Sequence, residues 1–254
     1  MDWIYIFLGF LQGVTEFLPI SSSGHLFLAK KLLHIEELSL SFVLLVHLAT
    51  FFSVLLFFYK DIKKLFITFL NELSLFFKLL VSLIPTLIVG LFFKSFVEQS
   101  FEKNLISFGF LFSGLLLFSL FFLKYKQKSL EEISFLQAFL IGVMQALAVL
   151  PGFSRSALTI TMGLYCGLSA RSAVFFSFLI SLPVIAGSSL IDFLSQADSF
   201  AGHTKGIDLG LAFLSAFITG ILSLFFVLKS TQSHKLKFFS FYLIPLSLFV
   251  FIFL

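Results

Sequence analysis

Apolar runs separated by short polar links recur along the whole chain. They fall at 3–18, 24–33, 40–58, 75–93, 105–123, 135–150, 156–168, 173–194, 208–228 and 238–254. A helix needs about 20 residues to cross the hydrocarbon core of a bilayer. Six segments meet that length: 40–58, 75–93, 105–123, 173–194, 208–228 and 238–254. The other four are too short or too polar at one end. They form two pairs, each joined by a polar loop that starts with proline, at Pro19 and Pro151. Short paired helices around a polar loop predict re-entrant hairpins. Non-helical backbone survives at that depth only when buried in protein or lining a wet cavity. The expected fold class is an all-α polytopic membrane protein. It has six transmembrane helices plus two re-entrant helix pairs, in a single integral membrane domain over 1–254.

The two pairs resemble each other. Phe7-Leu-Gly-Phe-Leu-Gln12 parallels Leu140-Ile-Gly-Val-Met-Gln145, Pro19 parallels Pro151, and Ser22 parallels Ser154. Each pair precedes three full spans. The chain therefore reads as two repeats, about 1–123 and 133–254, joined through Lys124–Lys128. An odd number of crossings inserts the second copy upside down. That inverted plan puts a functional site at the repeat interface near mid-membrane.

Charge orients this arrangement. With the N-terminus on side A, the links 29–39, 94–104 and 195–207 also lie on A and carry Lys30, Lys31, Lys94, Lys103 and Lys205. Side B receives Lys60, Lys63, Lys64, Lys78, Lys124, Lys126, Lys128, Arg171, Lys229, Lys235 and Lys237. Cytoplasmic links carry the excess of Lys and Arg. Side B is therefore expected to be cytoplasmic, in the inner membrane of a bacterium, with the first hairpin opening outward to the periplasmic side.

Composition agrees. Only 12% of residues are charged, against roughly 25% in a soluble domain, and mean hydropathy is +1.10. The 41 Phe residues read as lipid-facing and packing surface. The one cysteine, Cys166, rules out an intramolecular disulfide and reads as a small buried residue. A net charge of +4, with the basic residues in links, is no nucleic-acid footprint. The first eighteen residues carry Asp2, no Lys or Arg and no small-residue cleavage site, so they are not expected to be a signal peptide.

The chemistry concentrates in the two loops. The first reads Gln12-Gly-Val-Thr-Glu16-Phe-Leu-Pro19-Ile-Ser21-Ser22-Ser23-Gly24-His25. Glu16 is the one acid well within an apolar segment, with Asp192 a weaker case near a helix end. A charge at that depth costs at least about 2.5 kcal/mol and marks a functional residue by default. Gln12 and Glu16 are four apart and share a helix face; a structural hydrogen-bonded pair is the alternative. Pro19 stops the helix, Ser21, Ser22 and Ser23 supply hydroxyls, and Gly24 is read as permitting a tight turn. A serine there is also an ordinary helix cap, and His25 also fits a satisfied buried histidine. His47 is expected to pack or hydrogen-bond within its span. His34, His203 and His234 lie in links.

The second loop reads Pro151-Gly-Phe-Ser154-Arg155-Ser156-Ala-Leu-Thr159. Arginine is the preferred side chain for forked contacts to phosphate oxygens. Both loops end at helix N-termini, whose free N–H groups attract anions. The competing reading is an Arg155–Glu16 ion pair bridging the repeats, which opens for substrate or stays purely structural. Carboxylate, arginine, histidine and hydroxyls around two anion-receptive helix starts suit phosphoryl transfer, a chemistry of positioning and charge stabilisation. A divalent cation, Mg²⁺ or Ca²⁺, would take oxygens of Glu16 and Gln12 together with phosphate oxygens.

Gln12-x-x-x-Glu16 followed by Pro19-x-Ser-Ser-x-Gly-His25 resembles the first signature of the undecaprenyl-diphosphate phosphatase, or bacitracin-resistance, family. Pro151-Gly-Phe-Ser-Arg-Ser156-x-x-Thr159 resembles its second. The likeness runs over nearly the whole chain, including Val46-His-Leu-Ala-Thr50 and Tyr59-Lys-Asp-Ile62. The resemblance implies hydrolysis of a C55 lipid diphosphate to the monophosphate carrier of cell-wall synthesis, and bacitracin resistance. By matching position it makes Glu16 the essential acid and Ser22 the proposed nucleophile. His25 is the motif histidine, expected to move the proton or to be itself the nucleophile. Ser154, Arg155 and Thr159 are phosphate-binding positions, with Ser21, Ser23 and Ser156 beside them. Gln12 stands where the family has Glu or Gln, which leaves the strength of metal binding open. The expected partners are a polyprenyl diphosphate and membrane lipids, with a homodimer compatible and no nucleic acid.

Two competitors remain. An inverted-repeat secondary transporter or lipid flippase shares the plan, but shows less reason for a carboxylate on one loop and an arginine on the other. The other membrane lipid-phosphatase superfamily needs a further histidine about six residues after the arginine, and Ser-Ala-Leu-Thr-Ile-Thr-Met-Gly follows Arg155 instead.

Overall fold

A computed structural model of the chain describes residues 3–35, 38–69, 73–195 and 206–254. Every regular element among them is helical. The first motif is carried by α1 (Trp3–Phe17) and α2 (Ser22–Leu32). Then come α3 (Leu40–Phe57), α4 (Tyr59–Phe69), α5 (Leu73–Phe92), α6 (Lys94–Gln99) and α7 (Lys103–Ser119), the last prolonged by a 3-10 turn. The second motif is carried by α8 (Phe135–Leu147) and α9 (Arg155–Tyr165). They are followed by α10 (Ala170–Ser195), α11 (Gly206–Gln232) and α12 (Ser240–Phe253), with a 3-10 turn leading into α12.

The six expected spans are all present as helices long and apolar enough to cross a membrane, on α3, α5, α7, α10, α11 and α12. The four short segments are short helices of 15, 11, 13 and 11 residues. At 1.5 Å per residue the longest reaches about 22 Å, less than the ~30 Å of hydrocarbon. None crosses alone. Each packs on its partner, α1 on α2 and α8 on α9.

Two features depart from the expected organisation. The links after α3 and α5 contain the short helices α4 and α6, which the apolar pattern did not mark. The lysines of Tyr59–Phe69 masked the pattern there, in which Leu65 is buried while Lys60 and Lys64 are exposed. Lys78, counted with a link, lies inside α5 and is buried; its Nζ donates to the Glu131 carbonyl at 2.7 Å. The ammonium thus reaches the end of the span, as snorkelling lysines do. The side chains of Lys94 and Asp192, and His203 and Lys205 altogether, lie outside the described residues.

Between packed helices, hydroxyls bond across to backbone carbonyls. Ser215 Oγ donates to Ile6 O (3.1 Å), Ser53 Oγ to Phe217 O (2.9 Å) and Ser107 Oγ to Ser247 O (2.7 Å). Small polar residues are the usual glue of helices in lipid. Rings of Phe17 and Phe178 meet edge to face at 5.2 Å in the buried core. Phe92 and Phe122 are each more than three-quarters exposed, facing outward where lipid would lie. Cys166 is buried.

Two close helix approaches fall at glycines that occupy matching places in the repeated hexapeptides. A Cβ on Gly9 of α1 would lie 2.4 Å from the Ala212 carbonyl oxygen of α11. One on Gly142 of α8 would lie 2.1 Å from the Ser82 carbonyl oxygen of α5. Backbone cannot yield there without moving a helix. Overpacking costs about 1–3 kcal/mol. Gly9→Leu and Gly142→Leu should therefore lower the thermal midpoint in detergent by several degrees. Gly90→Leu should not, because no atom lies within 4 Å of a Cβ there.

Candidate active site

The two motif loops meet. Ser156 Oγ donates to the Leu18 carbonyl at 3.0 Å, and Gly152 N donates to Ser23 Oγ at 3.4 Å. Gly152 has φ +86°, and a Cβ there would also strike the Ile106 carbonyl oxygen. Ser113 of α7 accepts from Ser154 N at 2.9 Å. Ser21 and Ser154 cap α2 and α9 through Gly24 N and Ala157 N. The loops that lead into α2 and α9 thus touch each other.

At that meeting point sits Glu16, in the last turn of α1 and 9% exposed. Its Oε2 accepts from Gln12 Nε2 at 3.0 Å and from Ser22 Oγ at 2.6 Å. Its Oε1 accepts a charge-assisted bond from Arg155 Nη2. One carboxylate is therefore shared by three donors, two from the first motif and one from the second. An isolated charge would be very costly in this setting; pairing and hydrogen bonding make it tolerable. The ion pair weighed from the sequence is thus formed, and it joins the two loops.

A cavity of about 810 Å³ opens beside this cluster, with Gln12, Ser22 and Ser23 in its wall. Lys30, Lys31 and His47 line it further along, and Ile35, Leu38 and Phe101 come from the links after α2 and α6. Those links are the ones assigned to side A. Ser22 thus presents its hydroxyl to a cavity while donating to a carboxylate, the arrangement of a nucleophile and its base. His47 uses Nδ1 to donate to the Val43 carbonyl at 2.8 Å, leaving Nε2 for another partner.

Other expected site residues are buried away from the cavity wall and bonded to their neighbours. Ser154, Ser156 and Thr159 are each about 1% exposed. Thr159 Oγ1 bonds the Arg155 carbonyl at 2.7 Å and Ser177 Oγ at 2.5 Å. Ser154 and Ser156 bond each other at 3.2 Å. Their hydroxyls shape the loop that presents Arg155. His25 is not brought to Ser22. Ser22, Ser23, Leu26, Phe27, Lys30 and Lys31 occupy the cavity side of α2, and His25 lies on the opposite face. There its ring stacks on Tyr242 and stands edge-on to Phe110. Both nitrogens are occupied. Nδ1 donates to the Ser21 carbonyl at 2.8 Å, so Nε2 accepts from the Tyr242 hydroxyl at 2.7 Å. Gly24, expected to form a turn, lies within α2. The turn is made instead by Ser21 at φ 71°, while a Cβ on Gly24 would meet the Phe110 ring at 2.4 Å.

Lys30, Lys31, His47 and Tyr242 were not singled out from the sequence as site residues. The lysines had been assigned to orienting the chain, and the aromatic is one among many. Two signals were available for His47: an imidazole inside an apolar span, and its place in the Val46–Thr50 stretch that shares the family likeness.

For a divalent cation, the chain offers the Gln12 Oε1, buried and without a hydrogen-bond partner, beside the Glu16 carboxylate. Among the described residues no group of three or more His, Cys, Asp or Glu converges on one point. One carboxylate and one amide oxygen suit a hard cation that brings phosphate oxygens as its remaining ligands. They do not make a closed resident site.

A family model described as bacitracin resistance protein BacA matches residues 5–249. The undecaprenyl-diphosphatase of Thermosipho africanus is 40% identical over 256 residues, covering 97% of this chain and 98% of that protein. That of Parabacteroides distasonis is 39% identical over 254 residues, covering 95% and 94%. Undecaprenyl-diphosphatase 4 of Bacillus thuringiensis is 34% identical over 249 residues, covering 95% and 93%.

Proposed function

The chain belongs to the bacitracin resistance protein family BacA, and from that premise we propose how its site works. The protein is a multi-pass membrane phosphatase that hydrolyses undecaprenyl diphosphate to undecaprenyl phosphate and phosphate. The names of its relatives favour that activity over the transporter or flippase reading. The observation that carries the mechanism is the Ser22–Glu16–Arg155 cluster at the wall of the cavity.

The anionic head group enters past Lys30, Lys31 and His47. Its terminal phosphate displaces Glu16 from Arg155 and takes the guanidinium, together with the N–H groups at the starts of α2 and α9. Glu16, released from its cation, accepts the Ser22 proton. The Ser22 Oγ–phosphorus bond forms, and the bond from that phosphorus to the bridging oxygen breaks. Undecaprenyl phosphate leaves. Glu16 gives the Ser22 proton to the departing bridging oxygen, then takes one from the water that cleaves the phosphoserine and returns it to the Ser22 oxygen, giving phosphate and restoring the enzyme. His25 takes no proton in this scheme, because its nitrogens face Ser21 and Tyr242. A Mg²⁺ or Ca²⁺ arriving with the diphosphate would be held by Gln12 Oε1 and Glu16, and would offset phosphate charge.

The placement follows from the links. The cavity opens toward the end that carries fewer basic residues, so the reading is an inner-membrane enzyme whose site faces the periplasmic side. The matching of Gly9 with Gly142, and of the two motif loops, supports two inverted repeats with the helix pairs re-entrant around the site.

The test is phosphate release from C55 diphosphate by the purified protein in detergent, first with chelator and then with Mg²⁺ or Ca²⁺. The wild type should release one phosphate per lipid. Ser22→Ala should lose activity by about 10³-fold or more, as when a nucleophile is removed. Full turnover by Ser22→Ala would end the serine-nucleophile reading.

A further inference from the structure

Ser21 is the residue that turns the chain from α1 into α2, and it does so with φ 71° and ψ 105°. A non-glycine residue there is strained and persists only where its surroundings hold it. Its carbonyl is held by the His25 ring through Nδ1 at 2.8 Å, besides the His25 backbone N–H at 3.2 Å. The next residue is Ser22, whose hydroxyl must stay 2.6 Å from Glu16. The ring of His25 is held in turn by Tyr242 of α12, which donates its hydroxyl to Nε2 at 2.7 Å and stacks on it at 17°. A contact spanning 217 residues therefore ends on the turn that carries the nucleophile.

We propose that Tyr242 is a positioning residue of the phosphatase site, acting through His25 to lock the Ser21 turn and so aim Ser22 at Glu16 and the phosphorus. This rests on the serine-nucleophile reading above. The tyrosine hydroxyl fixes the imidazole in the tautomer that carries its proton on Nδ1. Only that tautomer donates to the Ser21 carbonyl. Without the hydroxyl, the other tautomer and other ring orientations become accessible, and Ser21 can relax out of its strained conformation. Misplacing a reacting atom by about 1 Å can cost 10²-fold in rate. The rate constant should suffer while binding of the head group, which depends on Arg155 and the cavity wall, should not.

The experiment compares Tyr242→Phe, His25→Asn and His25→Ala with wild type in purified, detergent-solubilised enzyme acting on C55 diphosphate. Phenylalanine keeps the stacked ring and removes the hydroxyl. Asparagine retains an amide donor where Nδ1 was, but nothing that titrates near neutrality. Tyr242→Phe should lower kcat about tenfold with KM within twofold of wild type and an unchanged thermal midpoint. His25→Asn should keep at least about tenfold more activity than His25→Ala, because it still donates to Ser21. The ¹⁵N resonances assigned to His25, found by their loss in His25→Asn, should show the Nδ1–H tautomer in wild type and a mixture in Tyr242→Phe. If Tyr242→Phe keeps the wild-type kcat, or its loss is matched by a rise in KM or a fall in thermal midpoint, the proposal is overturned. If His25→Asn is as inactive as His25→Ala, His25 carries a proton and the positioning chain is wrong. A wild type that releases no phosphate would instead remove the phosphatase reading on which the proposal stands.

Discussion

Glu16→Gln should reduce kcat by about 10³-fold or more while the protein still folds. Glutamine is nearly isosteric and can still hydrogen-bond Gln12 and Ser22. It cannot accept a full proton from Ser22 or neutralise Arg155. Loss of a general base alone typically costs 10²–10⁴-fold. In the resting enzyme Glu16 also takes bonds from three side chains. Removing its charge leaves the guanidinium without an anion in a low-dielectric setting, and losing one partner of a buried pair costs roughly 3–5 kcal/mol. The thermal midpoint should therefore fall too, and rise again when the phosphate head group binds, since the substrate supplies the missing negative charge. Turnover by Glu16→Gln within tenfold of wild type would show that another group takes the Ser22 proton.

Arg155→Lys is the second large effect. Lysine keeps the charge but loses the planar fork that spans two phosphate oxygens, and it is a compact, strongly hydrated ion. It is expected to lower kcat/KM by at least about 10²-fold. Removing one preorganised donor from developing negative charge typically costs 10²–10³-fold in kcat. Most of the loss should lie in kcat, because phosphate oxygens gain charge as the bridging bond breaks. An Arg155→Lys protein with normal kcat and only a raised KM would reduce Arg155 to a ground-state anchor.

Much of this was legible in the sequence, and for physical reasons. Six spans of twenty or so apolar residues have few alternatives to crossing a bilayer. The four segments too short to cross were visible by the same measure. Glu16 and Arg155 stood out because charge is rare in apolar surroundings, and their pairing could be weighed before the structure placed them together. What stayed hidden depended on three-dimensional context. The helix at Tyr59–Phe69 was obscured by its lysines. The turn residue was misassigned to Gly24, since glycine is the usual choice for positive φ, whereas Ser21 takes that conformation under constraint from His25. The face of α2 that His25 occupies became visible only once Phe110 and Tyr242 were packed against it. Ser154, Ser156 and Thr159 carry hydroxyls suited to phosphate, but the same hydroxyls suit capping and loop bonding. All three are buried and bonded within the loop region.

The central claim is that two loops far apart in the chain form one phosphoryl-transfer site through Glu16 and Arg155. A double-mutant cycle tests it most directly, using kcat/KM for C55 diphosphate in wild type, Glu16→Ala, Arg155→Ala and the double variant. Residues that act as one unit are strongly non-additive. The double variant should be no slower than the worse single variant, and more heat-stable than either, because no unpaired charge is left behind. Losses that simply multiply, with stabilities that simply add, would mean that the two residues work independently, and the single shared site would be contradicted.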